Sequence, residues 1–169
     1  MTPTKQRDHA GKVAKEDTQK AHEIASAIED PWFKAQALSW VARFSKDQVL
    51  DIAKEAAEAA ALGEDAYKQA AVRAWEVAAL AERDFNSEAT TALTAALESS
   101  KEVTPQSSRA ETLILLLNAA LRINTASAKQ VIAELESACG DDPFWRCKRA
   151  MRDGAALMAG EQKPKKFFW

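Results

Sequence analysis

Two histidines are the side chains best suited to acid–base or metal chemistry in this 169-residue chain. A di-iron site needs Glu three residues before His, but Gln6 and Gln19 precede His9 and His22 at that spacing. The sequence also lacks His-Glu-x-x-His, a phosphate-cradling Gly loop and Gly-x-Ser-x-Gly. His22 is therefore expected on a helix surface, and no catalytic residue is predicted.

Two cysteines, Cys139 and Cys147, flank a short Gly-Asp-Asp-Pro segment. They could form a disulfide or share a metal ion. A zinc site needs about four ligands, and no further Cys or nearby His is available. Thiols in a cytosolic chain stay reduced. The interpretation preferred here is two small buried residues, with no metal and no cofactor.

The elements that position these residues start at a repeated signal. Residues 30–35 read Asp-Pro-Trp-Phe-Lys-Ala, and residues 142–147 read Asp-Pro-Phe-Trp-Arg-Cys. A weaker copy lies at residues 64–68. An Asp caps the first free amides of a helix, and Pro is suited to the next position. Each copy therefore predicts a sharp corner between two helices. The aromatic pair in its first turn is expected in the hairpin core, or else beside a ligand pocket.

The spacing of apolar residues predicts eight helices between about residues 18 and 158. Corners at Pro31, near Asp65, near Pro105 and at Pro143 divide them into four antiparallel hairpins. Composition agrees, because strand patterns are nearly absent and Gly and Pro number five each. One domain is predicted, comprising a flexible arm over residues 1–17, a helical domain over 18–160 and a tail over 161–169. A closed helical bundle is the alternative architecture.

The segment from Ala25 to Ala42 reads Ala-x-x-Ile-Glu-Asp-Pro-x-x-Lys-Ala-x-Ala-Leu-x-x-Val-Ala. It resembles bacterial tetratricopeptide-like and HEAT-like repeats, and the resemblance covers about residues 20 to 158. The resemblance implies a protein-binding scaffold. The all-α fold and the right-handed α-solenoid of about four hairpins are predicted from the repeated corner and from hairpin starts that lie roughly 34 to 41 residues apart.

The polar faces of the first helices of the hairpins supply candidate binding residues. If these helices line an inner curve, the groove is acidic and prefers a basic peptide. An ordinary solvated face is the alternative. The candidates are Glu29, Asp51, Lys54, Glu55, Glu58, Thr91, Thr94, Glu98, Gln130 and Glu134.

Charge is distributed unevenly along the chain. Residues 21–145 hold 11 Lys and Arg against 20 Asp and Glu, whereas residues 146–169 hold 7 against 2. This argues against nucleic acid along the body. The last helix carries a cationic side with Lys148, Arg149 and Arg152, which is interpreted as a polar cap or, alternatively, as a phosphate or nucleic-acid site.

The tail combines lysines with three terminal aromatic residues. It is expected either to fold back over the apolar edge of the last hairpin or to dock into a partner or a membrane surface. The tail residues proposed for docking are Lys165, Lys166, Phe167, Phe168 and Trp169.

The function expected from these patterns is a non-enzymatic interaction module that binds a protein or peptide partner. An enzyme or small-ligand-binding bundle with a pocket near the aromatic pairs is the alternative. No window of about 18 apolar residues is present, and Met1 to Val13 lacks the apolar core of a signal peptide. A cytoplasmic location is expected, and the oligomeric state stays open.

Overall fold

A computed structural model describes residues 1–169, and its only regular elements are helices. The prediction of an all-α fold is confirmed. The helices are α1 (Pro3–Val13), α2 (Thr18–Ser26), α3 (Pro31–Phe44), α4 (Val49–Ala61), α5 (Ala66–Ala71), α6 (Arg73–Glu82), α7 (Asn86–Ser100), α8 (Gln106–Ala120), α9 (Thr125–Cys139) and α10 (Trp145–Ala159).

Several of these helices begin at side-chain caps that the sequence predicted. The Asp30 carboxylate accepts hydrogen bonds from the backbone N–H groups of Trp32 and Phe33, at 2.9 and 3.2 Å. Asp65 accepts one from Lys68 N–H at 2.7 Å. These amides have no partner inside their helix, so the carboxylates satisfy them. The predicted corners at Pro31 and Asp65 are confirmed.

The last corner does not repeat the first. Asp142 accepts a single hydrogen bond, from Phe144 N–H at 2.8 Å. Phe144 has an extended backbone, and α10 begins at Trp145 instead of Pro143. Phe144 and Trp145 are consequently 45% and 57% exposed. The expectation that this pair lies in the hairpin core was wrong.

The predicted flexible arm also differs from the structure. Residues 3–13 form α1, which Thr2 caps and Pro3 begins. Ala10 and Ala14 are fully or almost fully buried. Gly11 faces the indole of Trp40 so closely that an added Cβ would lie 3.0 Å from the ring. Small side chains allow α1 to pack against α3 at short range, and this packing fixes the segment.

Helices that are neighbours in sequence pack together throughout the molecule. One series runs α1, α3, α6, α8 and α10, and each member packs against the next. Helices α2, α4, α7 and α9 pack between members of that series, and α5 packs against α7 and α8. The predicted fourth helix is interrupted at Val72, which separates α5 from α6. None of the helices combines the length and apolar character needed to cross a bilayer.

A single large hydrophobic cluster joins all these layers. It includes alanines at most helix contacts, where small side chains let backbones approach closely. Larger residues fill the centre of α8, where Leu113, Leu116 and Leu117 have no exposed surface. Helix α8 is thus buried on several sides, which agrees with the nearly continuous apolar run of residues 113–117.

Candidate functional site

The tail crosses the molecule on the face formed by the series α1, α3, α6 and α8. Gly160 ends α10 in the left-handed conformation, with φ of 73°, which glycine adopts without steric cost. The last five residues then contact one residue after another along the series. We call this contact surface the tail groove; it consists of Arg7, Trp40, Trp75, Asn118 and Arg122.

Two side chains of the tail groove bind the backbone of Lys165. The Asn118 side-chain oxygen accepts a hydrogen bond from Lys165 N–H at 2.6 Å, and the Arg122 guanidinium donates one to the Lys165 carbonyl. Asn118 is buried, and its amide nitrogen donates to the Ile114 carbonyl at 2.8 Å. Both backbone polar groups of Lys165 are thus satisfied, one by a side chain of α8 and the other by Arg122, which follows α8 and donates back to the Asn118 carbonyl at 2.7 Å.

Phe167 fills the centre of the tail groove and has no exposed surface. Its ring meets Trp75 edge to face, with centroids 5.2 Å apart and planes at 81°. The Arg122 guanidinium lies over the same ring, 4.9 Å from the Phe167 centroid. Burial of such a side chain contributes about 1.5–3 kcal/mol, and the aromatic pair adds about 0.5–1.5 kcal/mol.

The last two residues pack against α3 and α1. Phe168, which is 7% exposed, meets Trp40 edge to face at 5.4 Å. Trp169 contacts the same indole at 4.9 Å and remains 58% exposed. The Arg7 guanidinium lies 5.7 Å from the Trp169 ring centroid, an attractive cation–π geometry.

The tail therefore folds back, and the surface it covers differs from the one expected. It covers Trp40 and Trp75 in the middle of the chain instead of the edge of the last hairpin. Phe167 and Phe168, which the sequence proposed for docking elsewhere, are buried inside this molecule. Lys165 and Lys166 stay exposed beside them.

Charged side chains hold Arg122 at the edge of the tail groove. Glu82 accepts from the Arg122 guanidinium at 3.1 Å and from that of Arg43 at 2.8 Å. Arg7 is held in the same manner, because it donates to the buried Gln36 at 2.8 Å and to Asp8 at 2.6 Å. Both arginines that contact the tail are thus oriented by partners on the helices.

Three of the ten groove candidates lie together. Glu29, Glu55 and Glu58 line a cavity of about 300 Å³ between the end of α2 and the middle of α4. Glu55 Oε2 lies 2.7 Å from His22 Nε2. Three carboxylates against the one lysine of the lining, Lys34, give this part of the predicted surface an acidic character.

The remaining candidates do not line that cavity. Lys54 and Thr91 line a second cavity of about 350 Å³, together with the ion pair of Arg73 and Glu76. Burial raises the pKa of Glu76, and the nearby Arg73 opposes that shift. Glu98 pairs with Lys101 at 2.7 Å and Glu134 with Arg109 at 2.9 Å, whereas three others lie on open surface: Asp51, Thr94 and Gln130.

Cavities do lie beside both aromatic pairs, and one tyrosine contributes to each. A cavity of about 270 Å³ is lined by Trp32, Phe33 and Tyr67. One of about 310 Å³ lies between Tyr67 and Trp145. Tyr67 stacks on Trp32 at 6.2 Å. Burial raises the pKa of Tyr67, and the negative charges of Glu111 and Asp65 raise it further.

Cys139 and Cys147 are free thiols, and both are buried. Burial, with a smaller contribution from Cys147, raises the pKa of Cys139 from 9.0 to about 12. A thiol held protonated is a poor nucleophile. The prediction of two small buried residues is confirmed.

Sequence reasoning identified the tail but missed the residues that bind it. Trp40, Trp75, Asn118, Arg122 and Arg7 belong to different helices, and no local pattern links them. The one signal for them in the sequence is the number of tryptophans, five in 169 residues. In comparisons with protein-family models, with curated proteins and with solved structures, nothing matched this chain.

Proposed function

We propose that this protein is a non-enzymatic interaction module that binds a peptide segment in the tail groove. The observation that carries the proposal is the course of the tail itself. Five consecutive residues cross α8, α6, α3 and α1, with two buried aromatic anchors and a backbone bound by Asn118 and Arg122. A surface that holds one extended segment in this manner has the features by which grooves recognise peptides.

The architecture proposed for the module is a short right-handed α-solenoid. Two features support it: helices pack mainly with near neighbours in sequence, and the series α1, α3, α6, α8 and α10 continues from one end of the chain to the other. A closed bundle would instead bring the first and last helices together. Among the extensively packed pairs, α1 and α10 are not partners.

The partner we propose has the chemistry of the tail: a basic segment followed by aromatic residues, carried by a cytoplasmic protein or peptide. The aromatic anchors would replace Phe167 and Phe168 against Trp75 and Trp40. The backbone clamp at Asn118 does not depend on side-chain identity, so specificity would come from the anchors and from the cation–π contacts.

Affinity capture followed by mass spectrometry tests this function. The bait pair is the wild-type chain and an Asn118→Ala variant, which loses the acceptor for the peptide backbone. We expect proteins with basic-aromatic segments to be enriched on wild type and depleted on the variant. Equal enrichment on both baits would contradict binding through the tail groove.

A second candidate function is a small-ligand-binding protein or enzyme that uses the pocket between the aromatic pairs. The cavities beside Trp32 and Trp145 favour it, since they share the half-buried Tyr67. Native mass spectrometry of the purified protein separates the two functions. A bound small molecule that is lost on Tyr67→Ala would favour the second candidate.

A further inference from the structure

The end of the molecule opposite α1 exposes two adjacent aromatic side chains. Phe144 and Trp145 lie where α10 begins, with ring centroids 6.1 Å apart. Besides Trp169, they are the only large aromatic residues at exposed positions. An aromatic pair at the surface is an unfavourable arrangement in an isolated protein, and contiguous exposed apolar area marks interaction sites.

The cavity beside Trp145 has an apolar lining at its base. Tyr67, Ile114, Leu115 and Ala150 supply it, and the volume of about 310 Å³ is at the lower end of ligand pockets, which are roughly 300–1,000 Å³. Such a space suits one inserted side chain better than a cofactor. Trp145 forms one wall of it and is free to pack against whatever enters.

The cavity itself is balanced in charge, with Arg146 and Arg149 against Glu111 and Asp153, and the excess of cations lies beside it on α10. Helix α10 carries four cations against the single carboxylate of Asp153. Arg149 and Arg152 approach Asp153 at 3.5 and 3.6 Å, so one carboxylate serves two guanidinium groups. Lys148 is exposed and has no carboxylate partner. Positive charge therefore exceeds negative charge on this face.

We propose that this end of α10 is a second interaction surface, which binds an acidic protein segment carrying one bulky apolar anchor. We call it the α10 surface; it consists of Phe144, Trp145, Lys148, Arg149 and Arg152. The anchor enters the cavity between Trp145 and Tyr67. Carboxylates that flank the anchor bind Lys148, Arg149 and Arg152. These three cations otherwise have only the Asp153 carboxylate as a partner.

Two observations favour a protein segment over an anionic membrane. The apolar site is concave, whereas a bilayer interface accommodates a convex row of aromatic residues. Glu111 and Asp153 also line the cavity, so bound carboxylates must lie towards Lys148 and Arg152 and away from these two, which a uniformly anionic surface cannot arrange. A peptide can place its own charges away from them.

The α10 surface is separate from the tail groove, and it selects the opposite charge. None of its residues contacts the tail aromatics, which pack on Trp40 and Trp75. The tail itself is basic and would be repelled by Lys148 and Arg149. The proposal therefore holds or fails independently of peptide binding in the tail groove.

Fluorescence anisotropy with the full-length protein tests the α10 surface. The probes are four labelled peptides that carry one central Phe, Leu, Met or Trp between glutamates, and four matched peptides with lysines in place of the glutamates. We expect at least one acidic peptide to bind, with an affinity that falls as salt is added. Trp145→Ala and Arg149→Glu should each weaken it by about tenfold or more.

Matched controls are Leu62→Ala and Lys46→Glu, an exposed apolar residue just after α4 and an exposed cation just before it. Each should change the affinity by less than about twofold. All four substitutions are at exposed positions, and circular dichroism confirms that the variants remain folded. Vesicles of phosphatidylserine and phosphatidylcholine are tested in the same way, as the membrane alternative to the peptides.

Three results would overturn the proposal. The first is that no acidic peptide binds more tightly than its lysine counterpart. The second is that the folded Trp145→Ala variant binds as well as wild type. The third is that the anionic vesicles bind through Trp145 and Arg149 while the peptides do not, which would assign the surface to a membrane.

Discussion

Phe167 and Trp75 meet edge to face at 5.2 Å, which links the end of the chain to a helix in its middle. Separation of the two rings would expose the apolar surface of both to water. The contact explains why a lysine-rich tail is held on the protein, and it makes the tail groove part of the fold as well as a candidate binding site.

Phe167→Ala should therefore destabilise the protein by about 3–5 kcal/mol, the usual cost of truncating a fully buried phenylalanine. Urea unfolding followed by circular dichroism measures this. Lys166→Ala is the matched control, because that neighbouring side chain is exposed, and it should change stability by no more than about 0.5 kcal/mol. If the two variants unfold alike, Phe167 is not buried as described.

The sequence predicted most of the helices because a helix start depends on residues that are close together in the chain. Asp30 and Asp65 satisfy amides two or three residues away, and that relationship is visible in sequence. The same kind of signal is present at the start of α1, where Thr2 caps the helix and Pro3 begins it. Gly11, within the segment predicted to be flexible, allows close contact with Trp40.

The candidate site was much less predictable, since it depends on how distant helices stack. Nothing near Phe167 in sequence indicates Trp75 or Asn118, which lie 92 and 49 residues earlier. The groove candidates are divided between two cavities and open surface for a related reason. A helical wheel gives the side of a helix on which Glu58 or Thr91 lies, but not the spacing between helices.

Reversal of Glu55 and Glu58 to lysine tests the acidic cavity. We expect a labelled oligolysine peptide to bind the double variant more weakly than wild type, and the wild-type affinity to fall with salt. Stability should change by no more than about 1 kcal/mol, because the contact between Glu55 and His22 lies at the surface. Glu102→Lys, an exposed carboxylate outside the cavity, is the control. Equal affinity of wild type and double variant would remove this cavity from consideration.

Tyr67 can be titrated without ambiguity, since it is the only tyrosine in the chain. Its pKa should lie above the usual value of about 10, because burial and the charges of Glu111 and Asp65 disfavour the tyrosinate. Ultraviolet absorbance of the tyrosinate against pH measures the midpoint. Glu111→Gln should lower that midpoint, and a midpoint at or below the ordinary value in wild type would contradict the described burial.

Cys139 should make stability depend on pH in alkaline solution. Its pKa is about 12 in the folded protein and 9.0 as an ordinary thiol, so folding favours the protonated form. This contribution is fully present below pH 9.0 and is lost as pH rises towards 12. Free energies of unfolding measured across this range should fall less steeply in Cys139→Ala than in wild type. Parallel curves would show that Cys139 is not protected.

The most direct test of the tail groove as a peptide site is binding of the tail supplied as a separate molecule. A labelled peptide of residues 163–169 is titrated into a variant that lacks those residues, and anisotropy is recorded. The account predicts saturable binding, loss of affinity on Asn118→Ala, and no binding of a control peptide with both phenylalanines replaced by serine. Wild type should bind the peptide far more weakly, because its tethered tail competes at an effective concentration in the millimolar range. A variant that is helical by circular dichroism and yet does not bind the peptide, or binds the serine control equally well, would contradict the claim.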